Sequence, residues 1–269
     1  MKKLTLAFLI ILFSLTSNVV ISADYNKGWD AYDTGDYATA LWEWKPLAEQ
    51  GDKDAQFYMG LMYEKGYGVI QNYKTALMWY ALSAEQGQSA SQNNLGLMYF
   101  YGNGAPQDYK TALKFLTLAS EQDDYDAQVS LGYLYSEGLG IKQNYKTALK
   151  WYRISAESGY DIGQYNLGTM YDEGLGVEQD FKTAVKWYKL AAEQENAAAQ
   201  YNLGLMYYYG DGVIKDKVSA HMWINISASN GNGDAATGRD LLEDEMTNSE
   251  ISQAQKLARD CAAKKYKGC

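Results

Sequence analysis

The apolar and polar positions of this chain repeat with a period longer than any one helix. Gly60, Gly96, Gly132, Gly168 and Gly204 stand 36 residues apart, as do Ala76, Ala112, Ala148, Ala184 and Ala220. The aromatic series Trp79, Phe115, Trp151, Trp187 and Trp223 keeps the same step. Within one period, apolar residues fall at helical spacing, as at Leu95, Met98 and Tyr99, and predict an amphipathic helix A over about 90–101. Gly102 is expected to end it, because glycine accepts the left-handed conformation favoured at helix C-termini. A loop to Gln107 follows, then Asp108 in an N-cap place that Asn72, Asn144, Asp180 and Asp216 occupy in the other periods. Helix B is predicted over about 109–121, with Ala112, Phe115, Leu116 and Ala119 turned inward.

Five full units therefore span 53–88, 89–124, 125–160, 161–196 and 197–232. A shorter, divergent unit at 24–52, half-size in pattern, carries the helix-B signature in "DTGDYATALWEWKPLAEQG" without the long loop. Glycine inside helix A costs ~1 kcal/mol relative to alanine, so its recurrence needs a compensation. Close approach of helix B, through its alanine and tryptophan, is the expected one. Such αα-hairpins bury a continuous core only when stacked. Residues 233–269 leave the period. A short helix to about Asp244, a capped start over Thr247-Asn248-Ser249-Glu250 and a helix to about Lys265 predict a polar C-terminal cap. Glu243-Asp244-Glu245 is expected on its solvated face.

The pattern A-x-x-x-L-G-x-x-Y-x-x-G-x-G-V-x-x-D-x-x-x-A-x-x-W-Y resembles the Sel-one-like repeat, a relative of the tetratricopeptide repeat. The fourth unit carries it best, in "GQYNLGTMYDEGLGVEQDFKTAVKWYKLAAEQ", and the resemblance covers about 24–232. Departures are local: Phe115-Leu116 stands for Trp-Tyr, Ile224 for the tyrosine, and Gln122-Asp123 lacks the closing glycine. The resemblance implies an all-α fold, a right-handed α/α superhelical solenoid that serves as a scaffold for protein or other ligands. It also implies helix A on the concave surface. Bacterial relatives are often exported, and cysteine-rich ones are linked to β-lactam or peptidoglycan chemistry. This chain lacks their cysteine pair in each repeat.

The N-terminus changes the picture of where the chain works. Lys2 and Lys3, the apolar run Leu4–Leu15 and the small-residue site Ile21-Ser22-Ala23 read as a signal peptide over 1–23. The run is short of the ~20 residues a membrane span needs, so no stable membrane insertion is expected after cleavage. Periplasmic or secreted localisation follows, and so does a Cys261–Cys269 disulfide clipping the C-terminus. The formal charge is −9, and leader removal takes two lysines and no acid, leaving −11. That balance excludes nucleic acid and anionic membrane as partners, since phosphate binding needs a basic surface.

Catalytic chemistry finds little to stand on. The single histidine, His221, sits on helix B at the place of Leu77, Leu113, Leu149 and Val185, and reads as a satisfied residue near the packed face. Asp172-Glu173 lies at a helix end with no partner across a cleft. The Gly-x-Gly elements follow no strand and lack a P-loop lysine, so no nucleotide cofactor is expected, and no metal. Positions that repeat are explained by packing, so recognition is expected where units differ on an exposed face. The fifth, ninth and twelfth positions of helix A form such a stripe, rich in tyrosine, which offers large amphipathic area at low entropy cost. Its candidate partner-binding residues are Asn93, Phe100, Tyr101, Tyr133, Tyr165, Thr169, Tyr201, Tyr208 and Tyr209. The leading expectation is a non-catalytic exported scaffold binding a protein or peptide. An envelope protein that binds or hydrolyses peptidoglycan or β-lactam-type ligands and a secreted effector of a host protein remain as alternatives.

Overall fold

A computed structural model describes residues 23–269; the expected leader, Ala23 apart, lies outside the described residues. Helix pairs follow one another along the chain: α1 (Tyr25–Asp33) with α2 (Tyr37–Glu49), α3 (Lys53–Lys65) with α4 (Tyr73–Glu85), α5 (Ser89–Tyr101) with α6 (Tyr109–Ser120). Then come α7 (Tyr125–Glu137) with α8 (Tyr145–Glu157), α9 (Asp161–Glu173) with α10 (Phe181–Ala192), and α11 (Ala197–Tyr209) with α12 (Lys217–Ser229). The last two helices are α13 (Gly233–Glu243) and α14 (Asn248–Ala263). No strand occurs among the described residues. From α1 to α13 each helix packs on the next in sequence, and α14 packs back on α12, so the core is a chain of clusters and not one centre.

The cap chemistry makes each pair. Asp108 Oδ1 accepts from the backbone N–H of Lys110 and Thr111 at 3.0 and 3.3 Å, and Asn72, Asn144, Asp180 and Asp216 cap their helices alike. Gly66, Gly102, Gly138, Gly174 and Gly210 end helix A of the five 36-residue units in the left-handed conformation. The second glycine of each loop has a further reason: at Gly104, Gly140, Gly176 and Gly212 a Cβ would strike the backbone that starts the preceding helix B.

The helix-A glycine does bring helix B close, but not through the residues the sequence suggested. A Cβ on Gly60, Gly132 or Gly168 would lie 2.6–2.7 Å from Tyr80, Tyr152 or Tyr188, one place beyond the tryptophan. Leu116 and Ile224 fill that place against Gly96 and Gly204. The tryptophan instead faces backward: Trp79 packs with the α1–α3 cluster of Trp44, Met59 and Met62. The first unit, read from its sequence as a second-helix pattern alone, has a helix A in α1. There Gly28 abuts Trp44, the counterpart of Tyr80.

A glutamine ladder ties the layers. Gln56, Gln92, Gln128, Gln164 and Gln200 each donate from Nε2 to the carbonyl eight residues earlier, at 3.0–3.3 Å. Their Oε1 atoms accept from Gln86, Gln122, Gln194 and Asn230, at 2.7–2.9 Å. Ser158 stands where the partner of Gln128 belongs, and Gln128 Oε1 is left buried without a donor. At the far end, Thr247 and Glu250 form a capping box, and Cys261 is bridged to Cys269. The bridge holds a tail whose Tyr266 packs on the last core cluster and donates to Asn230 Oδ1 at 3.4 Å. Asp244 and Glu245 are exposed, while Glu243 is part-buried against His221; Glu245 also meets Tyr208 and Lys217.

Candidate functional site

The helix-A stripe is not uniform, and helix B decides why. Where helix B presents tyrosine to the glycine, the phenol needs an acceptor, because a buried hydroxyl without a partner is costly. Helix A supplies it at its twelfth position. Tyr80 donates to Glu64 Oε2 at 2.7 Å, and Tyr188 to Asp172 Oδ2 and Thr169 Oγ1, both at 3.2 Å. The third unit has Ser136 there, opposite Tyr152. Burial pushes the Tyr152 phenol up to about 12 and raises the Asp172 carboxyl above its usual range, with Glu173 and Asp211 adding repulsion. Where helix B presents Leu116 or Ile224, nothing needs an acceptor, and the twelfth position carries an aromatic ring, Phe100 or Tyr208.

Each of those two aromatic positions opens a cleft. The first, about 330 Å³, is lined by Leu97, Phe100, Tyr101, Ser130 and Tyr133 between α5 and α7. Phe100 meets Tyr101, Tyr109 and Tyr133 edge-on, at centroid distances of 4.8, 5.5 and 6.0 Å. The second, about 380 Å³, lies between α11 and α13 and includes Tyr201, Leu205, Tyr208, Tyr209, Leu241 and Glu245. Tyr208 donates to Glu245 Oε1 at 2.8 Å, and Lys215 Nζ stands 5.4 Å from its ring centre. Lys217 pairs with Glu245 at 3.0 Å, and that pairing holds the Glu245 carboxyl below its usual range. Tyr101 and Tyr209 are 65% and 62% exposed, a large apolar area left in water at matching places. Between the clefts the ends of helix A turn acidic, with Asp172 on the stripe and Glu137 and Glu173 beside it.

Of the residues the sequence pointed to, Phe100, Tyr101 and Tyr133 meet in the first cleft, and Tyr201, Tyr208 and Tyr209 in the second. Asn93 is a correction: it is 7% exposed and lines neither cleft. The fifth position of helix A tucks against the next layer, as Phe57, Val129 and Tyr165 also do. Tyr165 lies 6.0 Å from the Tyr188 ring, and Thr169 accepts from Tyr188, so both belong to the packing beneath the stripe. The sequence missed Leu241 and Glu245, because the cap follows no repeat. His221 is fully buried, with Nε2 2.8 Å from Glu243 Oε1 and Nδ1 unpartnered. Among the described residues no group of three His, Cys, Asp or Glu is placed to hold a metal, and no helix is long and apolar enough to cross a membrane.

The family model of the Sel1 repeat matches residues 53–88, 89–124, 126–160, 162–196 and 197–232. A crystal structure of a Sel1 repeat protein from Oxalobacter formigenes is similar over 88% of this chain and 96% of its own, at 33% identity and a TM-score of 0.78. A protective antigen present in uropathogenic Escherichia coli strains, displaying an SLR fold, is 28% identical over 90% of this chain and 69% of its own, with a TM-score of 0.52. A putative Sel1 repeat protein from Klebsiella pneumoniae shares the fold at 21% identity and a TM-score of 0.51, over 74% of this chain and 97% of its own. Comparison with curated proteins returned no match.

Proposed function

The chain belongs to the Sel1 repeat family, and we propose that it is an exported scaffold that binds an extended peptide segment across its two aromatic clefts. Sel1 repeat proteins generally mediate protein–protein interaction and are generally non-catalytic. The observation that carries the finer reading is the pairing of cleft with sequence. Among the five 36-residue units, the two without a helix-B tyrosine carry an aromatic ring at the twelfth position of helix A beside an exposed tyrosine, each opens a cleft, and the acidic units lie between them. Rigid aromatic pockets suit anchors, and the carboxylates between them suit Lys or Arg.

Layers stacked roughly 10 Å apart put the clefts about 30 Å from one another, three layers on. An extended chain covers that in about nine residues. The ligand chemistry is thus two apolar or aromatic residues separated by about eight to ten positions, with basic residues between them. The likeness to a protective antigen supports export. The peptidoglycan or β-lactam reading finds no support, because Glu245, the carboxylate of the second cleft, is already engaged by Tyr208 and Lys217. Selection from a displayed library of random 15-residue peptides on residues 24–269 tests the reading. Enrichment of the anchor–basic–anchor pattern is expected. Selection of acidic peptides, or of none, contradicts it.

A further inference from the structure

Helix B of the first layer breaks the aromatic series at one place. Glu43 stands where Trp79, Phe115, Trp151, Trp187 and Trp223 follow in later layers. Those rings face the preceding layer, as Trp79 does. No layer precedes α1 among the described residues, so this inward position has no apolar surface to cover. A carboxylate fills it instead and is only 2% exposed. Burying such a charge is costly unless it is paired and hydrogen-bonded. Two groups answer it, one on each oxygen. Lys27 Nζ donates to Oε1, and the backbone nitrogen of Asp24 donates to Oε2 at 2.9 Å.

Asp24 is the residue that follows the Ile21-Ser22-Ala23 processing site. We infer that hydrolysis of the Ala23–Asp24 bond by a signal peptidase creates an α-ammonium at Asp24 that forms an ion pair with buried Glu43, so that export processing completes the first layer of the solenoid. The inference rests on the export reading above. Water supplies the oxygen of the new Ala23 carboxylate, the amide C–N bond breaks, and the departing nitrogen takes up protons to become the ammonium. One of its hydrogens already lies along the bond to Glu43, so the atoms need not move: a neutral donor becomes a charged one. The Asp24 carboxylate is committed elsewhere, accepting from the N–H groups of Asn26 and Lys27 at 2.9 and 3.3 Å as the N-cap of α1. A free ammonium at a helix N-terminus opposes the helix dipole. Glu43 supplies the opposite charge that this start requires. Lys27 and the Asp24 nitrogen together hold the Glu43 carboxyl below its usual range, in accord with a permanently ionised partner.

The test has two arms. Mass analysis of the full-length chain recovered from the envelope or medium reads the first residue, which is expected to be Asp24. A chain cleaved at another bond, or one that keeps its leader, overturns the inference, and a chain recovered only from the cytoplasm overturns the export reading with it. The second arm is independent of export. Protein released from a ubiquitin-like fusion with Asp24 as its first residue is compared with the same chain Nα-acetylated. The free-amine form is expected to melt about 2–4 °C higher, and the difference is expected to vanish in Glu43→Gln. Equal melting of the two forms overturns the ion pair while leaving export standing. A difference that survives Glu43→Gln does the same.

Discussion

Ser158→Gln is expected to stabilise the protein, because it completes the one broken rung of the glutamine ladder. Gln128 Oε1 is buried without a donor, whereas the four equivalent oxygens each accept at 2.7–2.9 Å. The backbone needs no change: Ser158 and Gln86 cap their helices at φ −76° and −86°. Gln86 and Gln194 also donate to the carbonyls of Gly51 and Gly159, at 3.0 and 2.9 Å, which defines a second acceptor for the new side chain at Asp123. An unsatisfied buried acceptor costs ~1–3 kcal/mol. Ordering a glutamine side chain opposes this by ~1–2 kcal/mol. The net gain is about 1 kcal/mol, or roughly 2–4 °C in Tm for a chain of this size. Thermal melting followed by circular dichroism reads the shift, and hydrogen exchange of α7–α9 locates it, since solenoid layers can open separately. Ser158→Ala should change stability by less than ~0.5 kcal/mol. In a Gln128→Met background Ser158→Gln should gain nothing. A gain that persists in that background, or none in the native one, refutes the ladder as the cause.

Other outcomes follow from the same packing. Gly168→Ala places a Cβ 2.7 Å from the buried Tyr188 ring, and should lose ~1–2 kcal/mol after overpacking is set against helix propensity. Gly233→Ala, which meets nothing within 4 Å, should be neutral within ~0.5 kcal/mol by urea titration. Asp180 accepts from Thr183 through side chain and backbone, which holds its carboxyl below the usual range. Its contribution is therefore present above the unfolded value of about 3.9 and is lost as pH falls below it. Asp180→Asn, the cap that Asn72 and Asn144 already use, should leave Tm at pH 7 nearly unchanged and flatten its fall below about pH 4.

The period makes the fold readable in the sequence. A 36-residue step repeated in glycine, alanine and tryptophan leaves few alternatives to stacked helix pairs, and the cap at Asp108 was legible from one side chain. The identity of the glycine's partner was not legible. Tryptophan and tyrosine are adjacent in sequence, and only the helix rotation shows that Trp79 faces back while Tyr80 faces its own glycine. The stripe was half readable for the same reason. Aromatic content marked Phe100, Tyr101, Tyr208 and Tyr209, but the fifth position, with Asn93 and Tyr165, turns under the next layer. The link between Leu116 and Phe100, or Ile224 and Tyr208, lay in the sequence as a correlation among units. It needed the Tyr80–Glu64 bond to give it a cause.

That link also supplies the most direct test of the peptide-binding account. The double substitution Leu116→Tyr with Phe100→Glu converts the second unit to the Tyr80–Glu64 arrangement, removing the Phe100 ring from the first cleft in exchange for a satisfied polar pair, and is expected to leave the fold intact. Isothermal titration of a library-selected peptide into the native chain and this variant measures what the cleft contributes. Removing one aromatic anchor site should cost ~2 kcal/mol, a loss of about thirtyfold in Kd, with Tm within a few degrees of native. Unchanged affinity in a variant that melts like the native chain would contradict recognition through the aromatic clefts.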